Sequence, residues 1–149
     1  MARVSVTSQP EKGFRQMISA GDNRWLSDAT KDEGGLGENP DPHEYLLGAL
    51  GTCTAMTLQI FAQRRGWDLG EVEIELSETR VPDPQEPGKH MSAITRDIKV
   101  AESLNDEQLQ TLRRIADKCP IHKLITGHKT VTTTLASKSN LAASTKAAS

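Results

Sequence analysis

An α+β domain, with a mostly antiparallel sheet and one long buried helix, is the fold class this sequence predicts. Three patterns carry that reading. Short alternating segments precede residue 30, a long apolar stretch runs from Pro42 to Arg65, and two further alternating segments lead into a helical periodicity near the end. At 149 residues a single domain is expected. We place it at residues 1–137, with the low-complexity stretch 138–149 as a tail.

The first strand is expected at residues 4–7, where Val4, Ser5, Val6 and Thr7 alternate. A second, at 13–19, carries Phe14, Met17 and Ile18. Gly21-Asp22-Asn23 is a turn signal before a third strand at 24–27. Residues 30–42 form a loop rich in Gly, Asp and Pro. It ends where a helix can start, with Asp41 as N-cap and Pro42 at the first helical position. From there to Arg65 the residues are apolar nearly all round, which predicts a helix buried on most faces. Gly48 and Gly51 on adjacent turns permit close backbone approach.

Val72, Ile74 and Leu76 alternate with acidic and polar residues over 71–79, the mark of a half-buried strand. A proline-rich loop follows. Strand character resumes over 92–100, with Ile94, Ile98 and Val100 on one face. Ser103 or Asn105 can cap a second helix carrying Leu109, Leu112, Ile115 and Ala116 at spacings of three and four. Residues 130–135 are expected to form a last strand.

Composition narrows the function. With 18 basic and 20 acidic residues the formal charge is −2, which argues against a nucleic-acid partner. No apolar run is expected to reach the roughly 18–20 residues that cross a bilayer, and residues 1–12 lack the apolar stretch of a signal peptide. A cytoplasmic protein without a membrane partner is therefore expected. Only 3% of residues are aromatic, so the core is thin and would gain from a dimer.

Two cysteines stand 66 positions apart, Cys53 and Cys119. In a reducing cytosol they are either buried or catalytic rather than a permanent disulfide. Cys53 lies in mid-helix, beyond the reach of the helix dipole, so reactivity there needs a cation from elsewhere. Cys119 precedes Pro120, which places it at the N-cap of a short helix, with Lys118 beside it and His122 one turn on. On local chemistry Cys119 is the better activated thiol. Cys119 and His122 also resemble half a metal site, but His43, His90 and His128 are scattered, so neither a metal nor any other cofactor is expected.

The run Asn39-Pro40-Asp41-Pro42-His43-Glu44 through Leu50-Gly51-Thr52-Cys53-Thr54-Ala55-Met56-Thr57-Leu58 resembles the central helix of the OsmC/Ohr family. Cys119-Pro120-Ile121-His122-Lys123 resembles its second cysteine motif, and Gly34-Gly35 its preceding loop. The resemblance spans roughly residues 4–136. It implies the OsmC-like fold, an intertwined homodimer with interface sites, and reduction of organic hydroperoxides, hydrogen peroxide less well.

In that chemistry Cys53 becomes a sulfenic acid, Cys119 condenses with it to a disulfide, and a dithiol such as a lipoyl group reopens the bridge. A family Arg stabilises the thiolate and a Glu orients it. Here Arg15 and Arg24 are candidates, with Arg24 preferred before Trp25-Leu26. His43 takes the position directly after the proline where typical members carry Glu, and Glu44 follows one residue later. Nine residues separate Glu44 from Cys53, about 13 Å along a continuous helix and on opposite sides of it. Glu44 must therefore act through a long Arg or across the dimer. The competing expectations are a dimer that binds a small apolar or thiol ligand without efficient turnover, and a structural dimer with inert thiols.

Overall fold

The computed structural model of the chain describes residues 1–138; the expected tail lies outside them but for Lys138. Strands β1 (Ser5–Ser8), β2 (Gln16–Ala20) and β3 (Asn23–Ser27) form an antiparallel sheet in that order. Ile18 opposes Val6 on one side and Trp25 on the other, so apolar side chains align across all three strands. β2 starts later than expected because residues 10–12 form a single 3-10 turn. That turn closes at Gly13, whose φ of +68° suits glycine.

Helix α1 (Pro42–Arg65) begins as its sequence signals predict. The Glu44 N–H donates to Asp41 Oδ1 at 2.8 Å, and the Asp41 N–H donates to Glu44 Oε1 at 3.3 Å, a reciprocal capping box. It ends at Gly66 in the left-handed conformation. Tyr45, in the first turn, donates its hydroxyl to the Leu26 carbonyl and so ties α1 to β3.

Strands β4 (Glu73–Pro82) and β5 (His90–Lys99) make a ten-residue hairpin in which Ile74 opposes Ile98 and Leu76 opposes Arg96. A Cβ on Gly51 would lie 2.7 Å from Leu76 Cδ1, so glycine lets α1 sit close against β4. Helix α2 (Asp106–Ala116), capped by Asn105 and Gln108, buries Leu112 and Ala116. These join Leu58, Ala62 and Leu69 in one core cluster. Phe61 and Trp67 flank that cluster edge-to-face, with ring centroids 5.6 Å apart. Helix α3 (Pro120–Thr126) packs back onto α1.

Four expectations need correction. The antiparallel strands fall into two separate sheets, one of three strands and one of two, rather than one. α1 is not buried on most faces of the protomer. Leu50, Gly51, Thr54, Leu58 and Ala62 form its buried seam, while Leu46, Met56 and Ile60 are about half exposed. α1 is also long and apolar enough to cross a membrane by length and mean hydropathy (1.4), contrary to the expectation of no such run. Its seam against the hairpin and α2 gives the same composition a core role.

Finally, residues 130–135 form no strand. Among the described residues no strand pairs with them, and Val131 and Leu135 are 89% and 98% exposed. β-branched residues make a segment fit for a sheet, but that fitness does not by itself supply a partner strand.

Candidate functional site

Cys53 is carried at the middle of α1 and is partly exposed. Cys119 immediately precedes Pro120 at the start of α3 and has no exposed surface. Because α3 packs onto α1, the two thiols meet and become hydrogen-bonding neighbours.

Their charges differ. Burial pushes Cys119 up, but hydrogen bonding by the Cys53 thiol, the His122 amide, the Thr54 hydroxyl and the Ile121 amide outweighs it and holds Cys119 below the ordinary cysteine value. The sulfur makes no regular side-chain cap bond; the amides simply face it closely enough to favour a thiolate. Burial pushes Cys53 up and its contact with Cys119 pushes it further, against smaller opposing effects of the Ile121 amide and the Thr57 hydroxyl. The two shifts run in opposite directions, so Cys119 is the more readily ionised thiol of the pair.

Behind the pair lies a cation that the sequence reading did not single out. Arg96 reaches inward from β5, with 12% of its side chain exposed. Its Nη1 donates to Thr54 Oγ1 at 2.9 Å, and its Nη2 donates to Asp117 Oδ1 at 2.9 Å and lies 3.4 Å from His122 Nδ1. Thr54 is itself fully buried and donates its proton to the Leu50 carbonyl at 2.7 Å. A cavity of about 540 Å³ opens beside this network, with Leu50, Ile94, Arg96, Ile98, His122 and Ile125 on its walls.

The other expected residues are elsewhere in the protomer. Arg24 Nη1 donates to the carbonyls of Gly21 and Asn23, at 2.7 and 2.9 Å, within its own hairpin. Arg15 Nε donates to Gln9 Oε1. Glu44 is engaged in the capping box at the first turn of a continuous α1, nine residues from Cys53. The helix dipole and the capping bonds account for Glu44 without any link to sulfur. Neither Arg24 nor Glu44 is thus joined to Cys53 within one chain. His43, in the place of the expected Glu, pairs with Glu78 Oε2 at 2.6 Å. Among the described residues no group of three or more His, Cys, Asp or Glu could hold a metal.

A helix crossing a long hairpin, with a second helix bringing a thiol to its mid-point, defines a class of α+β domain built around a cysteine pair. The family described as OsmC-like protein matches residues 35–134, about two thirds of the sequence and both cysteines. The chain belongs to the OsmC-like family.

Solved structures agree in fold. A Psychrobacter arcticus protein described as an osmotic stress induced and detoxification response protein is 23% identical, with a TM-score of 0.69 over 83% of this chain and 88% of that one. An OsmC-like protein from Mycoplasma pneumoniae is 13% identical, with a TM-score of 0.70 over 85% and 88%. The organic hydroperoxide resistance protein OhrB of Bacillus subtilis is 19% identical, with a TM-score of 0.61 over 86% and 92%. No curated protein matches. At these identities the likeness speaks for the fold alone.

Proposed function

We propose that the chain is a thiol-dependent peroxidase of the cytoplasm. It reduces organic hydroperoxides, and hydrogen peroxide less well, through Cys53 and Cys119. The observation that supports this reading is that two cysteines carried by separate helices come close enough for each thiol to shift the ionisation of the other. Access sets the order of events. Cys119 is fully buried, whereas Cys53 is partly exposed, so the peroxide meets Cys53 first.

In the first step the Cys53 thiolate, having passed its proton to Cys119, attacks the distal peroxide oxygen. An S–O bond forms, the O–O bond breaks, and the alkoxide leaves and takes the proton held by Cys119 to become the alcohol. The sulfur is oxidised by two electrons to a sulfenic acid. Cys119, again a thiolate, then attacks that sulfur. The S–S bond forms, the S–O bond breaks, and hydroxide leaves and is protonated to water. A dithiol reductant of the lipoyl type restores both thiols by exchange.

The family resemblance also supports a homodimer. The exposed Leu46, Met56 and Ile60 lie on the same side of α1 as Cys53, and residues 130–135 carry an unpaired strand pattern. In such a dimer Arg24 of a second copy is the residue to supply the cation near Cys53, and Glu44 the residue to orient it.

The test is consumption of an alkyl hydroperoxide by purified protein with a dithiol. Turnover is expected to vanish in Cys53→Ser. In Cys119→Ser, Cys53 is expected to give one equivalent of sulfenic acid and then overoxidise. Undiminished turnover in Cys53→Ser refutes the reading.

The second reading is a dimer that binds a small apolar or thiol ligand without efficient turnover. It is favoured by the raised Cys53 thiol and the distance of Arg24 and Glu44 in the protomer. Saturable oxidation of Cys53 by a hydroperoxide within seconds excludes it.

A further inference from the structure

Thr54 is the one polar residue in the buried seam of α1, with Leu50 one turn before it, Leu58 one turn after and Ala62 beyond. It is 0% exposed. Isosteric valine would serve packing as well and would spare the polar group its burial. Every contact of its hydroxyl points to another use. The oxygen accepts from Arg96 Nη1 at 2.9 Å, the proton goes to the Leu50 carbonyl at 2.7 Å, and the group faces the Cys119 sulfur. The Leu50 carbonyl also lies in the continuous α1 ladder, so it does not depend on this hydroxyl. A rotation about the C–O bond redirects the proton to Cys119 with Arg96 still bound to the oxygen.

We propose that Thr54 is a hydroxyl relay and Arg96 a positioning residue acting through it: Arg96 fixes and polarises the Thr54 hydroxyl, which donates to the Cys119 thiolate. Arg96 is itself held in place, by Asp117 at 2.9 Å and next to His122 at 3.4 Å. Its charge therefore reaches a fully buried sulfur without direct contact. A hydroxyl bound to a guanidinium is a stronger donor than a free one, because consecutive hydrogen bonds polarise each other. The relay deepens the peroxidase reading by naming what prepares Cys119 for the second step, and it rests on that reading only for its consequence in turnover.

The test separates the two. In full-length Cys53→Ser protein Cys119 is the sole thiol, so absorbance of the thiolate at 240 nm against pH titrates it without any peroxide. Removing one donor to a charged acceptor should raise the midpoint by about one to two pH units. Thr54→Val is expected to show that rise, and Thr54→Ser, which keeps the hydroxyl, to restore the midpoint to within about 0.3 units. Thr54→Ala replaces valine should the larger side chain disturb folding.

Arg96→Met should also raise the midpoint, but by clearly less in the Thr54→Val background than in the parent, since the relay is already broken. Equal midpoints for Thr54→Val and the parent overturn the proposal. So does an Arg96→Met shift of the same size in both backgrounds, which would mean that the charge acts directly through space. Absent peroxidase activity with these shifts intact overturns the peroxidase reading and leaves the relay standing.

Discussion

Leu58→Ala tests whether α1 is held by its buried seam. Leu58 has no exposed surface and sits among Ala62, Leu69, Leu112 and Ala116. The substitution removes three carbons from that site. Neither Ala62 nor Ala116 has a side chain able to reach into the space. On the flank, Phe61 and Trp67 meet edge-to-face at 5.6 Å and 76°, a geometry that collapse would break. The cavity should therefore stay largely open, which places the loss in the middle of the range of about 2.7–5 kcal/mol for such changes, about 3–4 kcal/mol. At about 2–4 °C per kcal/mol in a domain of this size, the midpoint should fall by about 10 °C. Urea unfolding at one fixed protomer concentration is the assay, since assembly would make stability depend on concentration. A loss below about 1.5 kcal/mol with an unchanged m-value refutes the assignment of Leu58 to a rigid core.

Other sites give sharper local tests. A Cβ on Gly35 would lie 1.8 Å from the Ala29 carbonyl oxygen and 2.5 Å from its carbon, both backbone atoms. Asp28 ties the same loop through the amides of Ala29 and Leu36, so Gly35→Ala should cost above about 3 kcal/mol, seen as a loss of folded yield. Asn105→Ala removes the acceptor for the Gln108 N–H and should cost about 0.5–2 kcal/mol in unfolding midpoint. The hydrogen bond and charge of Glu78 raise His43, while Ser92 and then His43 lower Glu78. A raised histidine stabilises below its unfolded value of 6.5 and loses the contribution as pH rises through the folded value. A lowered carboxylate stabilises above 4.5 and loses it as pH falls. The pair should thus favour the fold most between about pH 4.5 and 6.5. The stability difference between the parent and Glu78→Gln should peak there and fade by pH 9; a His43 imidazole titrating below 6.5 by NMR contradicts this.

Local signals made much of the fold legible. Asp41-Pro42 and Asn105 with Gln108 announce their helices because a cap is chemistry between residues three apart, and α1 and α2 start where those residues say. Cys119-Pro120 marks the start of α3 for the same reason. Arg96 was legible in principle. It shares the face of Ile94 and Ile98 on β5, and a charged residue on the apolar face of a strand asks for a buried partner. What periodicity could not supply was that partner, Thr54, 42 positions away across the packing of α1 on the hairpin. Residues 130–135 mislead for a related reason: alternation records fitness for a sheet, not the presence of an edge. The outer face of α1 is apolar without a cover in the protomer, so a sequence apolar all round overstates its burial within one chain.

The cysteine pair places reactivity and access on different sulfurs, and the consequences can be weighed. Cys119 ionises the more readily but is sealed from solvent; Cys53 is reachable but ionises the less readily. A higher thiol pKa lowers the thiolate population about tenfold per unit, yet each unit makes the thiolate about threefold more nucleophilic. The net loss at Cys53 is therefore only about threefold per unit. The proton need travel no further than Cys119, which is already its hydrogen-bonding neighbour. Once Cys53 is oxidised it no longer donates to Cys119 as a thiol, and the ionisation of Cys119 depends on the amides of His122 and Ile121 and, through the proposed relay, on the Thr54 hydroxyl. Those donors matter most at the moment Cys119 must attack. A site arranged in this way loses little in its first step and concentrates its electrostatic stabilisation on the second, where a fully buried thiolate has no water to support it.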